Sequence, residues 1–169
     1  VVAHQMVRDR MSKEKVNAAT KEVTPPRDRD ALPEITFAER ISFHLNDEDI
    51  ELIHLDPAHT DGDVVVYLDA GSSARQAPYI DYSSGGSING FITSLDKLLN
   101  MMDDNTKIIP GHGELCNKAD VKKFRDRLAD IRDQVAAALK KGKKPSEITG
   151  MGSTDKYEAD LGKGFTKAK

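Results

Sequence analysis

"IHLDPAHTDGDVVVYL", residues 53–68, changes character twice within sixteen positions. It leaves an alternating apolar pattern, crosses a loop built of Pro57, His59, Asp61, Gly62 and Asp63, and enters the continuous apolar run "VVVYL" (64–68). An unbroken run of that length, bounded by turn residues, predicts a buried strand. Upstream, apolar residues recur at every second position in Ile41, Phe43 and Leu45, then in Ile50 and Leu52, a series that His54 extends. "NDED" (46–49) separates the two runs and predicts a hairpin. Three neighbouring strands with a histidine in the loop before the last are the frame for everything else in the chain.

Outward from this frame, strands alternate with helices. "DAGSSARQAPYIDYSSGG" (69–86) is small, polar and loop-like. A helix is expected over 87–102, with Ile88, Phe91, Ile92, Leu95, Leu98 and Met102 on one face and a serine before it as cap. "KII" (107–109) predicts a short strand. Residues 118–141 give the clearest helix, because Val121, Phe124, Leu128, Ile131, Val135 and Leu139 recur at steps of three and four, and Gly142 is placed to end it. Its seam is nearly heptad, but one helix of that length is read as packing on a core. On the N-terminal side, "HQMVRDRMSKEKVNAA" (4–19) has helical spacing, and residues 20–34 form an internal loop, since Pro25, Pro26 and Pro33 cannot continue a helix. The expectation is one domain over residues 1–169, of α/β or α+β class.

Composition excludes several classes. The net charge of −3 comes from 25 basic and 28 acidic residues spread along the chain, so no basic stripe points to nucleic acid. Apolar runs are too short to span a membrane, and a soluble protein of the cytoplasm or periplasm is expected, with the compartment left open. The N-terminal "VVAH" reads as the end of a buried strand rather than a secretory leader, which carries the expectation of missing sequence upstream. The single cysteine, Cys116, excludes an internal disulfide and reads as a small buried residue.

The chain holds five histidines. His44 and His54 fall within the strand pattern and His4 at a strand end, where a structural role is the ordinary one. His59 and His112 differ. Each follows a strand, in "LDPAHTDGD" and "IIPGHGE", beside proline and glycine that let backbone approach a ligand closely. A neutral imidazole is the commonest metal ligand. Asp61 and Asp63 have two readings: acceptors that orient a ligand imidazole, or turn residues that cap the entry to strand 64–68.

"IHLDPAHTDGDVVVYL", then "IDYSSGGSINGFI", then "TKIIPGHGELC" together resemble the C-terminal half of a metallo-β-lactamase-fold hydrolase. "VVAHQMVRDRMS" resembles the strand and helix after that family's first metal motif, and "YEADLGKGFT" the terminal segment of one hydrolase branch. The resemblance implies part of a four-layer αββα sandwich with one or two metal ions, often zinc. It assigns metal-ligand roles to His59 and His112. It implies hydrolysis of a small-molecule lactam, ester, lactone or thioester by metal-hydroxide attack.

Two departures matter. The leading "HxHxDH" motif, which supplies the family's other histidine ligands, is absent. The turn that carries its bridging aspartate is also absent, and neither Asp69 nor Asp81 has the right neighbours to take that role. Two imidazoles fill only half of a tetrahedral shell. The alternative is therefore a non-catalytic remnant or binding module that associates through an exposed half-sandwich face, as a homo-oligomer or with a missing N-terminal half.

Overall fold

The computed structural model describes residues 1–16, 21–68, 80–110 and 115–157. The fold is mixed α and β. Its described residues form two compact units: residues 1–68 with 80–94, and residues 95–157.

In the first unit, β1 (Val2–His4) runs into α1 (Gln5–Met11). The helix expected over 4–19 stops at Met11, and the chain instead forms β2 (Lys15–Val16), antiparallel to β3 (Val23–Thr24). No residue of α1 is buried, so lengthening it would gain little apolar burial. The carbonyl of Met11 accepts instead from Arg27 N at 2.8 Å, within the proline-rich segment expected as loop. β4 (Ile35–Phe37) pairs in parallel with β1, His4 opposite Phe37.

β5 (Arg40–Leu45), β6 (Glu48–His54) and β7 (Val64–Leu68) form an antiparallel sheet in that order. Asn46 and Asp47 alone make the β5–β6 turn, with φ of 54° and 61°, a two-residue hairpin of the kind that matches strand twist. Ile41 lies opposite Leu52, Phe43 opposite Ile50, and Leu52 opposite Val66, so these five share one face. None of the five is buried, and Val66 is 45% exposed. The buried positions here are Ile53 on the other face, and Leu55 and Ala58 just beyond β6.

α2 (Ile88–Met101) starts at Ser87, whose Oγ accepts from Gly90 N at 3.3 Å. In the second unit, β8 (Lys107–Ile108) pairs antiparallel with β9 (Cys116–Asn117), and Cys116 is buried opposite Ile108. α3 (Lys118–Lys140) begins in a capping box: Asn117 Oδ1 accepts from Asp120 N, and Asp120 Oδ2 accepts from Asn117 N. Val121, Phe124 and Leu128 are buried as their spacing requires. Leu139 is 54% exposed and Ala138 is buried in its place. Leu139 lies eighteen residues, or five full turns, from buried Val121 and so on the same side of the helix, which means rotation of the stripe does not account for its exposure. α4 (Pro145–Thr149) follows. No helix among the described residues is long and apolar enough to cross a membrane.

Candidate functional site

The loop between β6 and β7 carries His59, and its backbone is held from both sides. Inside the loop, the Asp63 carboxylate accepts from Thr60 N at 3.0 Å and Thr60 Oγ1 at 2.6 Å. Thr60 Oγ1 in turn accepts from Gly62 N at 3.1 Å. Outside it, the His59 carbonyl accepts from Asp81 N and the Ala58 carbonyl from Ser87 N, both at 2.9 Å. Asp61 N donates to the Ser84 carbonyl at 3.0 Å. Ser94 Oγ donates to the Asp56 carbonyl at 2.9 Å.

"GGSING" explains how this approach is possible. A Cβ on Gly85, which sits at φ +78°, would stand 2.5 Å from Asp61 Oδ2. One on Gly86 would meet the His59 carbonyl, and one on Gly90 the Pro57 carbonyl. At Gly86 and Gly90 the chain therefore lies against bare loop backbone, which only glycine permits, while Gly85 faces the Asp61 side chain.

The charged side chains nearby serve the same loop. Arg10 of α1 pairs with Asp61 and donates through Nη1 to the Ser84 carbonyl at 2.9 Å. Asp81 accepts from Ser83 N at 3.0 Å, Ser83 Oγ at 2.5 Å and Ser84 Oγ at 2.6 Å, and lies 3.5 Å from Lys15 Nζ. The hydrogen bonds from Ser83 and Ser84, with Lys15 beside them, hold its carboxyl well below the usual carboxylate range. Of the two readings, the geometry supports a turn residue for Asp63, whose carboxylate accepts from Thr60 three positions back, whereas Asp61 is bound to Arg10 of α1.

His59 itself is exposed at the edge of this clamp. His112 lies outside the described residues, as does Asp69. Near the "GHG" stretch, Ile109 is 64% exposed and Leu115 59% exposed. The remaining histidines are partnered: His44 Nδ1 lies 2.5 Å from Asp49 Oδ1 across the β5–β6 pair, and His4 stacks on His54. Among the described residues, no group of three or more His, Cys, Asp or Glu side chains is placed to hold a metal ion. Those residues therefore do not by themselves fit the zinc centre that the resemblance implies. Sequence reasoning missed Arg10, Lys15 and Ser84, because their link to the loop crosses 51 to 74 residues and leaves no local pattern.

No protein-family model matches the chain, and no curated protein matches it. Among solved structures, the chain is similar to a metallo-β-lactamase from Pontibacter korlensis at 17% identity and a TM-score of 0.48, over 59% of this chain and 50% of that one. It is similar to VMB-1, crystallised at pH 5.5, at 17% identity and a TM-score of 0.48, over 74% of this chain and 54% of that one. The chain spans about half the length of these solved structures.

Proposed function

We propose that this chain is part of a metal-dependent hydrolase of the metallo-β-lactamase type, in which His59 is a zinc ligand. By its motif, His112 takes the same role, and the substrate is a small lactam, ester, lactone or thioester. The observation that carries this reading is the clamp on the loop. Its peptide groups are fixed by Asp81, Ser87 and Asp63 while the imidazole of His59 is exposed. A ligand histidine needs such a fixed backbone to hold its geometry. Catalytic zinc usually takes three protein ligands, so on this reading the site draws further ligands from outside the described residues. The test is zinc titration by calorimetry on the purified chain and on His59→Ala and His112→Ala. Each substitution is expected to lower affinity by about tenfold or more. Equal zinc uptake by the parent and by the double variant sinks the reading.

The sheet supports a second reading, a binding module without catalysis. Ile41, Phe43, Ile50, Leu52 and Val66 form one apolar face, and none of them is buried. On that reading the chain associates through this face, and Phe43→Lys weakens the association. A monodisperse monomer by light scattering that binds no hydrophobic dye counts against it.

A further inference from the structure

His4 and His54 use their ring nitrogens in a way that has no place for an extra proton on His4. His4 ends β1 and caps α1. Its Nε2 lies 2.8 Å from the Ala38 carbonyl, which only accepts, so Nε2 carries the hydrogen. Its Nδ1 accepts from Met6 N at 3.4 Å. The His54 ring stacks on it with centroids 3.7 Å apart and planes 14° apart. His54 Nδ1 donates to the Asp63 carbonyl at 2.9 Å, so an added proton on His54 goes to Nε2. His4 is only 5% exposed, with the Phe37 ring edge-on to it at 6.0 Å.

We propose that the His4–His54 stack is a proton-operated latch fastening β1 and α1 to the His59 loop, closed while both imidazoles are neutral and released on acidification. A proton on His4 Nδ1 removes the acceptor that caps α1 and turns N–H toward N–H. Charging both rings places two cations face to face at stacking distance. The surrounding charges do not compensate. Asp9 of α1 accepts from Gln5 Nε2 at 2.7 Å, Arg10 is a cation bound to Asp61, and the Asp63 carboxylate is held by Thr60. Burial first, then the nearness of His54, lowers the pKa of His4 from its ordinary 6.5, against the opposing pull of the Ala38 bond and Asp9.

Release reaches the loop by two routes. Asp63 presents its carbonyl to His54 and its carboxylate to Thr60. The helix that His4 caps carries Arg10, which grips Asp61. The latch requires no metal, so it stands or falls apart from the zinc reading.

The test is amide hydrogen exchange on the whole chain, corrected for intrinsic rates, at about pH 7.5 and about pH 5.5, on either side of the ordinary histidine pKa. Protection of residues 5–11 and 59–63 is expected to fall together by about tenfold or more on acidification, with residues 121–138 unchanged. His54→Gln keeps a donor for the Asp63 carbonyl but cannot be charged, so it should lose most of this response. Unchanged protection in the parent overturns the latch, as does an undiminished response in both His54→Gln and His4→Gln. Should either variant fail to fold, proton NMR titration of the parent decides. A His4 midpoint below 6.5 that moves with the titration of His54 supports the latch, and one at or above 6.5 overturns it.

Discussion

Gly86→Ala puts the clamp on the His59 loop under direct stress. The new Cβ would enter the His59 carbonyl oxygen and stand 2.8 Å from the Ala58 oxygen and 2.9 Å from the His59 carbonyl carbon. Real Cβ atoms essentially never come within 3.0 Å of such neighbours, and all three obstructing atoms are backbone. No rotamer change relieves the clash, so the loop has to retreat by roughly 1 Å, an overpacking cost of about 1–3 kcal/mol. That retreat stretches the bonds from Asp81 N to the His59 carbonyl and from Ser87 N to the Ala58 carbonyl, each with a net contribution of about 0.5–1.5 kcal/mol. Reduced freedom of the unfolded chain returns about 0.4–1 kcal/mol. The expected net loss is about 2–4 kcal/mol. Urea denaturation measures it as a lower midpoint at unchanged slope. A Gly86→Ala protein within about 0.5 kcal/mol of the parent, the range of an indifferent surface change, would refute the reasoning.

Other outcomes follow from the same geometry. Asp63→Ala removes both Thr60 bonds and is expected to cost about 1–2 kcal/mol; a urea midpoint equal to that of the parent would contradict this. Arg125 holds Asp96 through Nε–Oδ1 at 2.7 Å and Nη2–Oδ2 at 3.0 Å. The side chains are 31% and 44% exposed, so a double-mutant cycle should give only about 0.3–1 kcal/mol of coupling, shrinking in about 1 M salt. Stability should also fall in two stages with acid. Because the folded pKa of His4 is lowered, the unfolded chain takes up the proton first, and stability declines as pH drops through 6.5. Because the folded pKa of Asp81 is lowered, its contribution is present above 3.8 and is lost as pH falls below that value. A urea midpoint that rises as pH falls from 6.5 toward 3.8 would be inconsistent with the His4 sign, and one that rises as pH falls below 3.8 with the Asp81 sign.

The sheet was the most legible part of the sequence. Alternation over 41–54 and the run at 64–68 are local signals of period two, and they place β5, β6 and β7 with Phe43 opposite Ile50. α2 and the first half of α3 were legible for the same reason, since apolar residues at helical spacing mark a face that becomes buried. α1 was overread. Val16 fits a helical stripe, but no face of α1 is buried, and pairing of Val16 with Val23 wins. "ITF" was missed as a strand because its partner is β1, more than thirty residues away and parallel. In the candidate site, "AHTDGD" marks the loop and its turn chemistry. The ties that shape it were not legible, because Arg10, Lys15, Ser84 and the His4–His54 stack depend on tertiary placement.

The bond from Arg10 to the Ser84 carbonyl closes 74 residues of chain, and the pair with Asp61 closes 51. Such contacts yield nothing until their long closures have been made, so they belong to the slow, late part of folding. The β5–β6 hairpin can form from neighbours alone, whereas the His59 loop receives its final shape only after Ser84 is in reach. During synthesis at about 5–20 residues per second, the stretch from Leu68 to Ser84 takes about 1–3 s, so all three strands of the sheet are made before the ties that shape the His59 loop.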